Sequence, residues 1–295
     1  MSCGKEVLDE DRPRECPICK GQEVAGAKRL GTLEVTPGPV RGRGLGPELF
    51  DLVCCPGCEL IFLSPLPPQE MLDALYINSP QFDGSVYGGS RAKVIVEVHR
   101  LRLQEIRTQQ LMRSYPQWLW KVLKQWVIRY QGARVLEIGS GLSWMSRAAK
   151  ILIARTTTVA QDISSEAAES CPWVDRYFVG TLESKAKEIQ ALAPYDVISM
   201  THVIEHLPDP VQVLRRCSAL LAERGMVFVS APFRPAGWSP AAPFDLWKHW
   251  GLNHTPAHLQ YFNRRSLERC AFRSGLRLAR YEPDGEAFVA WLKRG

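Results

Sequence analysis

The chain has 295 residues, 45% apolar and 23% charged, with a formal net charge of +6. That balance excludes a largely disordered, collagenous or membrane-spanning chain, and a mild basic excess selects neither nucleic acid nor an anionic small molecule by itself. A chain of this length buries roughly 75% of its unfolded surface without covalent staples. It has no run of about 18 uncharged apolar residues, and its start is polar, without an apolar signal core. The reading is a cytoplasmic protein, in which nine cysteines point to metal binding or packing rather than disulfides.

The region 1–65 carries two C-P-x-C knuckles, Cys16-Pro17-Ile18-Cys19 and Cys55-Pro56-Gly57-Cys58. Strand-like runs LFDLVC (49–54) and ELIFL (59–63) flank the second knuckle. Two such pairs suit four thiolates around a tetrahedral Zn²⁺, a closed site that is structural rather than catalytic. Cys54 lies beside Cys55 on an extended strand and should point the other way. Cys3, Cys171, Cys217 and Cys270 read as small apolar fillers.

Pro68 suits the first turn of a short helix over 68–76. Apolar positions Val94, Val98, Leu101, Ile106 and Leu111 predict a helix, and Pro116 begins another that ends near Gly132. From Ala133 onward, short β-rich runs alternate with helical stretches. This pattern predicts an α/β domain with a mostly parallel sheet, its last two strands forming a hairpin.

The strand RVLEI runs into Gly139-Ser140-Gly141-Leu142-Ser143-Trp144. Gly139 and Gly141 allow a tight turn and close ligand approach. A dinucleotide fingerprint needs a third glycine where Trp144 stands, and no Gly-Lys-Ser/Thr follows, so neither NAD, FAD nor a P-loop fits. Asp162 ends the next strand, 21 positions after Gly141, where a carboxylate can accept both ribose hydroxyls. A nucleoside ligand without phosphate suits this pairing.

LEIGSG, QDIS, YDVISMTHVIEHLPDP and the strand closing in SAPF together resemble the class I S-adenosylmethionine-dependent methyltransferases over about residues 130–295. The resemblance implies a Rossmann-like seven-stranded sheet with S-adenosyl-L-methionine across the strand tips. Glu137, Gly139, Ser140 and Gly141 would line the methionine end, Asp162 and Ile163 the ribose, Leu182 the adenine, and Thr201 the mouth of the site. Ser143 stands where many members have another glycine.

Methyl transfer mainly requires alignment of the acceptor, and a histidine serves as base when that acceptor is a hydroxyl or an acidic carbon. His206 or His202 is the candidate base, with Glu205 orienting an imidazole or binding substrate. The alternative is that this Glu-His pair packs the turn. Residues 244–262 form an aromatic loop containing His249, His254 and His258. Either it covers the substrate, with His258 and Tyr261 near the acceptor, or its aromatics pack against the helix that starts near Asn263.

The second knuckle, the following Glu-Leu-Ile-Phe-Leu-Ser-Pro and the 68–76 helix resemble the amino-terminal zinc module of many bacterial methyltransferases, the sugar C-methyltransferases among them. Those sugar enzymes carry a further carboxyl-terminal domain, with no counterpart here after the seventh strand. The resemblance places Tyr76 and Tyr87 near the acceptor.

Between Arg91 and Arg134 ten basic residues face two acidic ones, so the positive balance lies on the helical connector, a solvated face or a lid for an anionic acceptor. The expected organisation is a zinc module (1–65), a connector or cap (66–130) and a cofactor domain (131–295). The expected activity is O- or C-methylation of a saccharide or other secondary metabolite. An RNA base methyltransferase gripping RNA through the zinc module and a non-catalytic zinc-ribbon interaction protein are the alternatives, and oligomeric state is left open.

Overall fold

The computed structural model describes residues 15–20, 27–35, 48–72, 132–152, 155–239 and 242–295. The connector helices, its basic stretch, Tyr76, Tyr87 and Cys3 lie outside these residues. No helix among the described residues is long and apolar enough to cross a membrane.

The cofactor-type domain is a seven-stranded sheet in the order β10-β11-β8-β7-β4-β5-β6. Its strands are β4 (Arg134–Ile138), β5 (Thr157–Asp162), β6 (Arg176–Val179), β7 (Tyr195–Thr201), β8 (Leu221–Pro232), β10 (Leu276–Asp284) and β11 (Ala287–Arg294). β4 is buried from Val135 to Ile138, as expected for a parallel strand covered on both faces. Pairing is parallel from β6 through β8, while β11 runs antiparallel to both β8 and β10. This is a Rossmann-like sheet whose last two strands form an antiparallel hairpin at one edge.

The helices are α1 (Trp144–Leu152), α2 (Ser165–Glu169), α3 (Ala186–Ala191), α4 (Pro210–Leu220), α5 (Asp245–Lys248) and α6 (Arg264–Arg273). Their starts follow local chemistry. Asp209 caps α4 by accepting from Gln212 N, with Pro210 in the first turn. Asn263 and Ser266 form a reciprocal capping box on α6. The sequence pattern carries α4 on to Glu223, but it ends at Leu220 because Leu221 turns extended, and its buried side chain opens β8 beside Tyr195.

A second, four-stranded sheet has the order β1-β2-β3-β9. It comprises β1 (Lys28–Val35), β2 (Glu48–Cys54), β3 (Ile61–Ser64) and β9 (Gln260–Tyr261). β1 and β9 were not expected from sequence. β9 comes from the far side of the chain and pairs antiparallel with β3, Ile61 opposite Tyr261 and Phe62 opposite Gln260.

The cysteine module and the larger domain share one apolar core. Ile18, Leu60 and Phe62 lie in the same cluster as Leu214, Cys217, Leu267 and Cys270. Polar contacts rim it. Lys20 Nζ reaches Asp209 Oδ2 at 2.7 Å, Arg265 Nη1 reaches Glu59 Oε1 at 2.7 Å, and Arg273 Nη1 donates to Cys19 O.

The aromatic loop divides between two cores: Phe262 packs with Leu267 and Cys270 of α6, and its other aromatics cover the module sheet. Trp238, Trp247, Trp250 and Tyr261 share a core with Phe50, Leu52, Leu63 and Met71. Trp247 is fully buried and makes edge contacts with Trp238, Trp250 and Tyr261. Trp247→Ala should therefore lose about 3–5 kcal/mol of stability, measurable by denaturant unfolding; a loss below about 1 kcal/mol would contradict this packing.

Candidate functional site

Winding reverses at β4, which pairs with β5 on one side and β7 on the other. In an open α/β sheet the crevice for a ligand lies beyond the carboxyl ends of the strands at such a reversal. Two loops meet there, the glycine loop after β4 and the turn after β7.

Gly139 and Gly141 have φ of +57° and +46°, conformations that glycine adopts at least cost. A Cβ on Gly139 would come within 2.5 Å of Val203 Cγ2, so the two loops touch there, whereas nothing lies within 4 Å of a Cβ placed on Gly141. One glycine is needed for packing and the other leaves open space for a ligand. Ser143 also adopts a left-handed φ of +50°, which accounts for the glycine that resembling proteins carry at that position.

The loop is held from three sides. Asp162 Oδ2 accepts from Gly141 N at 2.7 Å and Oδ1 from Ser164 N at 3.0 Å. Tyr177 Oη donates to Gly141 O at 2.8 Å and receives Ser140 Oγ at 3.0 Å. Ser140 N donates to Gln161 O. Glu137 is buried under the loop, and its two oxygens accept from Met145 N, Ser146 N and Ser146 Oγ at the start of α1. Burial pushes its carboxyl up to about 7 against those donors.

At the tips of β5 and β6, Ile163 and Val179 are 41% and 39% exposed, an apolar shelf suited to a flat base. Leu182 is half-buried and packs on the main core. Val179 and Tyr177 were missed from sequence. They sit in the RYFV strand without a motif, and only their place beside Asp162 and Gly141 singles them out.

The other wall is Thr201-His202-Val203 and the 3₁₀ turn Ile204–His206. Thr201 is half-buried and pairs with Ser230 of β8. His202 has a φ of +54°, its N–H donates to Ser230 O, and its side chain is 48% exposed while Glu205 is fully buried. His202 Nδ1 lies 3.4 Å from Glu205 Oε1. The Glu205 carboxylate beside it raises the His202 imidazole above its ordinary value. Burial alone would raise Glu205, but His202, His206 and His258 hold it below the usual carboxylate range.

His206 is mostly buried, with Nδ1 2.8 Å from Ala257 O, and burial lowers its imidazole despite Glu205. His258 packs edge-on at 4.7 Å from His206; burial, then His206, lowers it to about 3. Ligand atoms of Glu205, His206 and His258 lie within 4.8 Å of one another. His202 is therefore the imidazole that faces the crevice, and His206 and His258 form the buried layer behind Glu205.

Cys16, Cys19, Cys55 and Cys58 come together, with Cys16–Cys58 sulfurs 3.6 Å apart, Cys19–Cys55 sulfurs 3.8 Å apart and all four within 4.8 Å. Tetrahedral Zn–S bonds of about 2.3 Å put ligand sulfurs about 3.8 Å apart, so the donor set and its size fit that ion. Both knuckles close alike: Lys20 and Glu59 adopt left-handed φ, and their N–H groups donate to Cys16 O and Cys55 O. The hydrogen bond with Cys58 lowers Cys16 to about 5, and burial pushes Cys19 up to about 11. Cys54 faces the other core.

Residues 106–281 match the methyltransferase domain family, and the chain belongs to that family. Among curated proteins, a ubiquinone biosynthesis O-methyltransferase of Xanthomonas campestris pv. campestris is 34% identical over 119 residues, 37% of this chain and 48% of that protein. The counterpart from Marinobacter nauticus is 30% identical over 105 residues, 34% of this chain and 44% of that protein. The chain thus spans about half the length of these relatives. The solved magnesium protoporphyrin IX methyltransferase of Synechocystis PCC 6803, with bound SAH, is 15% identical and aligns over 61% of this chain and 83% of its own at a TM-score of 0.43.

Gly139→Ala drives a methyl group into Val203 and strains the backbone. It should weaken S-adenosylhomocysteine binding at least about tenfold by calorimetric titration, an effect of about 1.4 kcal/mol; unchanged affinity would contradict the close approach of the two loops.

Proposed function

We propose that the protein transfers the methyl group of S-adenosyl-L-methionine to a hydroxyl of an anionic small molecule, a saccharide or another secondary metabolite, with Zn²⁺ holding the cysteine module together. One observation carries the reading. A half-exposed His202 sits on a strained strand tip beside a buried Glu205, next to a glycine loop whose Gly141 face is open. Left-handed backbone in a non-glycine residue persists where the surroundings enforce it, and such positions cluster at functional sites.

Bound S-adenosyl-L-methionine supplies an electrophilic methyl group that needs no activation by the protein. The chain's residues bind and align. Asp162 takes the ribose hydroxyls on the lone pairs that Gly141 N and Ser164 N leave free. Ile163 and Val179 shelve the adenine, with Leu182 packed behind. Gly139, Ser140 and Gly141 bring backbone close to the methionine end, and Glu137 supports them by anchoring α1. Thr201 borders the mouth.

His202 Nδ1 is turned to Glu205, which leaves Nε2 for the acceptor. With the methyl group that S-adenosyl-L-methionine would supply in line with the acceptor oxygen, Nε2 would take the hydroxyl proton. Glu205 stabilises the resulting imidazolium. The O-methyltransferase names of the curated relatives favour oxygen over carbon as the acceptor atom. The basic stretch 91–134 suits an anionic substrate.

Asp162→Ala should weaken S-adenosylhomocysteine binding about tenfold or more. His202→Ala should keep that affinity and lose about 10²-fold in turnover, measured as labelled methyl transfer to the hydroxyl acceptor found by screening. Turnover should rise with pH as His202 loses its proton above the ordinary imidazole value of about 6.5, and Glu205→Gln should move that rise to lower pH. Full turnover by His202→Ala would overturn the assignment. Metal analysis should find one zinc per chain, lost in Cys55→Ser together with several degrees of thermal stability.

A further inference from the structure

The segment 257–261 lies between the cysteine module and the turn after β7, and it bonds to both. Toward the module, Leu63 N donates to Leu259 O, and β9 pairs Gln260 with Phe62 and Tyr261 with Ile61. Toward the turn, Leu259 N donates to Glu205 O, and Ala257 O meets His206 Nδ1 at 2.8 Å. Gln260 is fully buried. Its single amide group donates to Ile204 O at 3.1 Å and to Leu207 O at 2.7 Å, so one side chain grips both ends of the turn.

That grip matters because the Glu205 carboxylate has no firm anchor of its own. Among the described residues neither buried oxygen has a well-aligned hydrogen-bond donor, and Oε1 has imidazole nitrogens at 3.4 and 4.0 Å. The carboxylate's position is set by the backbone of the turn, and that backbone is held by segment 257–261. Without the Gln260 amide, Ile204 O keeps only Leu207 N among the described residues and Leu207 O loses a 2.7 Å donor; an unmet carbonyl costs up to about 1–3 kcal/mol when buried, so the turn shifts if Gln260 cannot donate.

We infer that Gln260 is a positioning residue: it clamps the Ile204–Leu207 turn against β3 of the cysteine module and so holds Glu205 beside His202. The module is thereby a structural part of the acceptor side of the site. This rests on the proposed role of His202 and Glu205, and the test separates the two.

The test is the titration of the His202 imidazole by NMR, assigned by its loss in His202→Ala, with S-adenosylhomocysteine affinity measured alongside. Glu205 faces the imidazole and His206 lies near it, both on the turn, and His258 of segment 257–261 faces Glu205 from behind. The intact protein should titrate His202 above about 6.5. Gln260→Leu should bring it back to about 6.5 with S-adenosylhomocysteine affinity changed less than twofold, because the glycine loop makes no bond to Gln260.

Gln260→Met likewise has no donor for the two carbonyls, so the same return is expected. An unshifted His202 in folded Gln260→Leu would overturn the inference. So would failure of both variants to fold, since Gln260 would then serve the fold alone. An intact protein whose His202 already titrates at about 6.5 would instead overturn the reading of the His202–Glu205 pair.

Discussion

β4 hydrogen-bonds to β5 through Thr157–Gln161 and to β7 through Val197–Met200. Because the chain winds outward in opposite directions from this strand, the loops leaving β4 and β7 part at their bases and leave a crevice between them. Gly139 against Val203 is the point where they still touch. The ligand space, the loop bonded to Asp162 and the wall bearing His202 all follow from that one pairing.

The electrostatics divide across the crevice. On the cofactor side the carboxylates already have donors: Glu137 holds the start of α1 and Asp162 holds Gly141 and Ser164. On the acceptor side the imidazoles of His202, His206 and His258 are the groups that act on Glu205 among the described residues. A buried negative charge with little hydrogen bonding favours a positive charge nearby, and His202 is the neighbour exposed enough to exchange a proton with an acceptor. In the layer behind, burial lowers the imidazoles of His206 and His258.

The cysteine module is joined to the larger domain at three levels. The cores merge, ion pairs tie Lys20 and Glu59 to α4 and α6, and β9 completes the module sheet. Asp209 caps α4 with one oxygen and meets Lys20 with the other. A metal at the four sulfurs would therefore stabilise more than a local ribbon.

Short apolar runs alternating with helical stretches made the larger sheet legible in the sequence, since strands buried on both faces read as continuous apolar segments. Both knuckles and the glycine loop were legible too, because their chemistry depends on residues close together in the chain. Other features depended on partners remote in sequence. β9 is two residues long and exists because β3 offers it an edge. Gln260 is one amide in an aromatic loop until its carbonyl partners, more than fifty positions away, are placed. Nothing in Thr201-His202-Val203 announces a left-handed histidine, or which of two histidines faces the crevice. Local spacing determined the elements and the donor sets; tertiary structure decided burial, and burial separates the exposed His202 from the buried His206 one turn away.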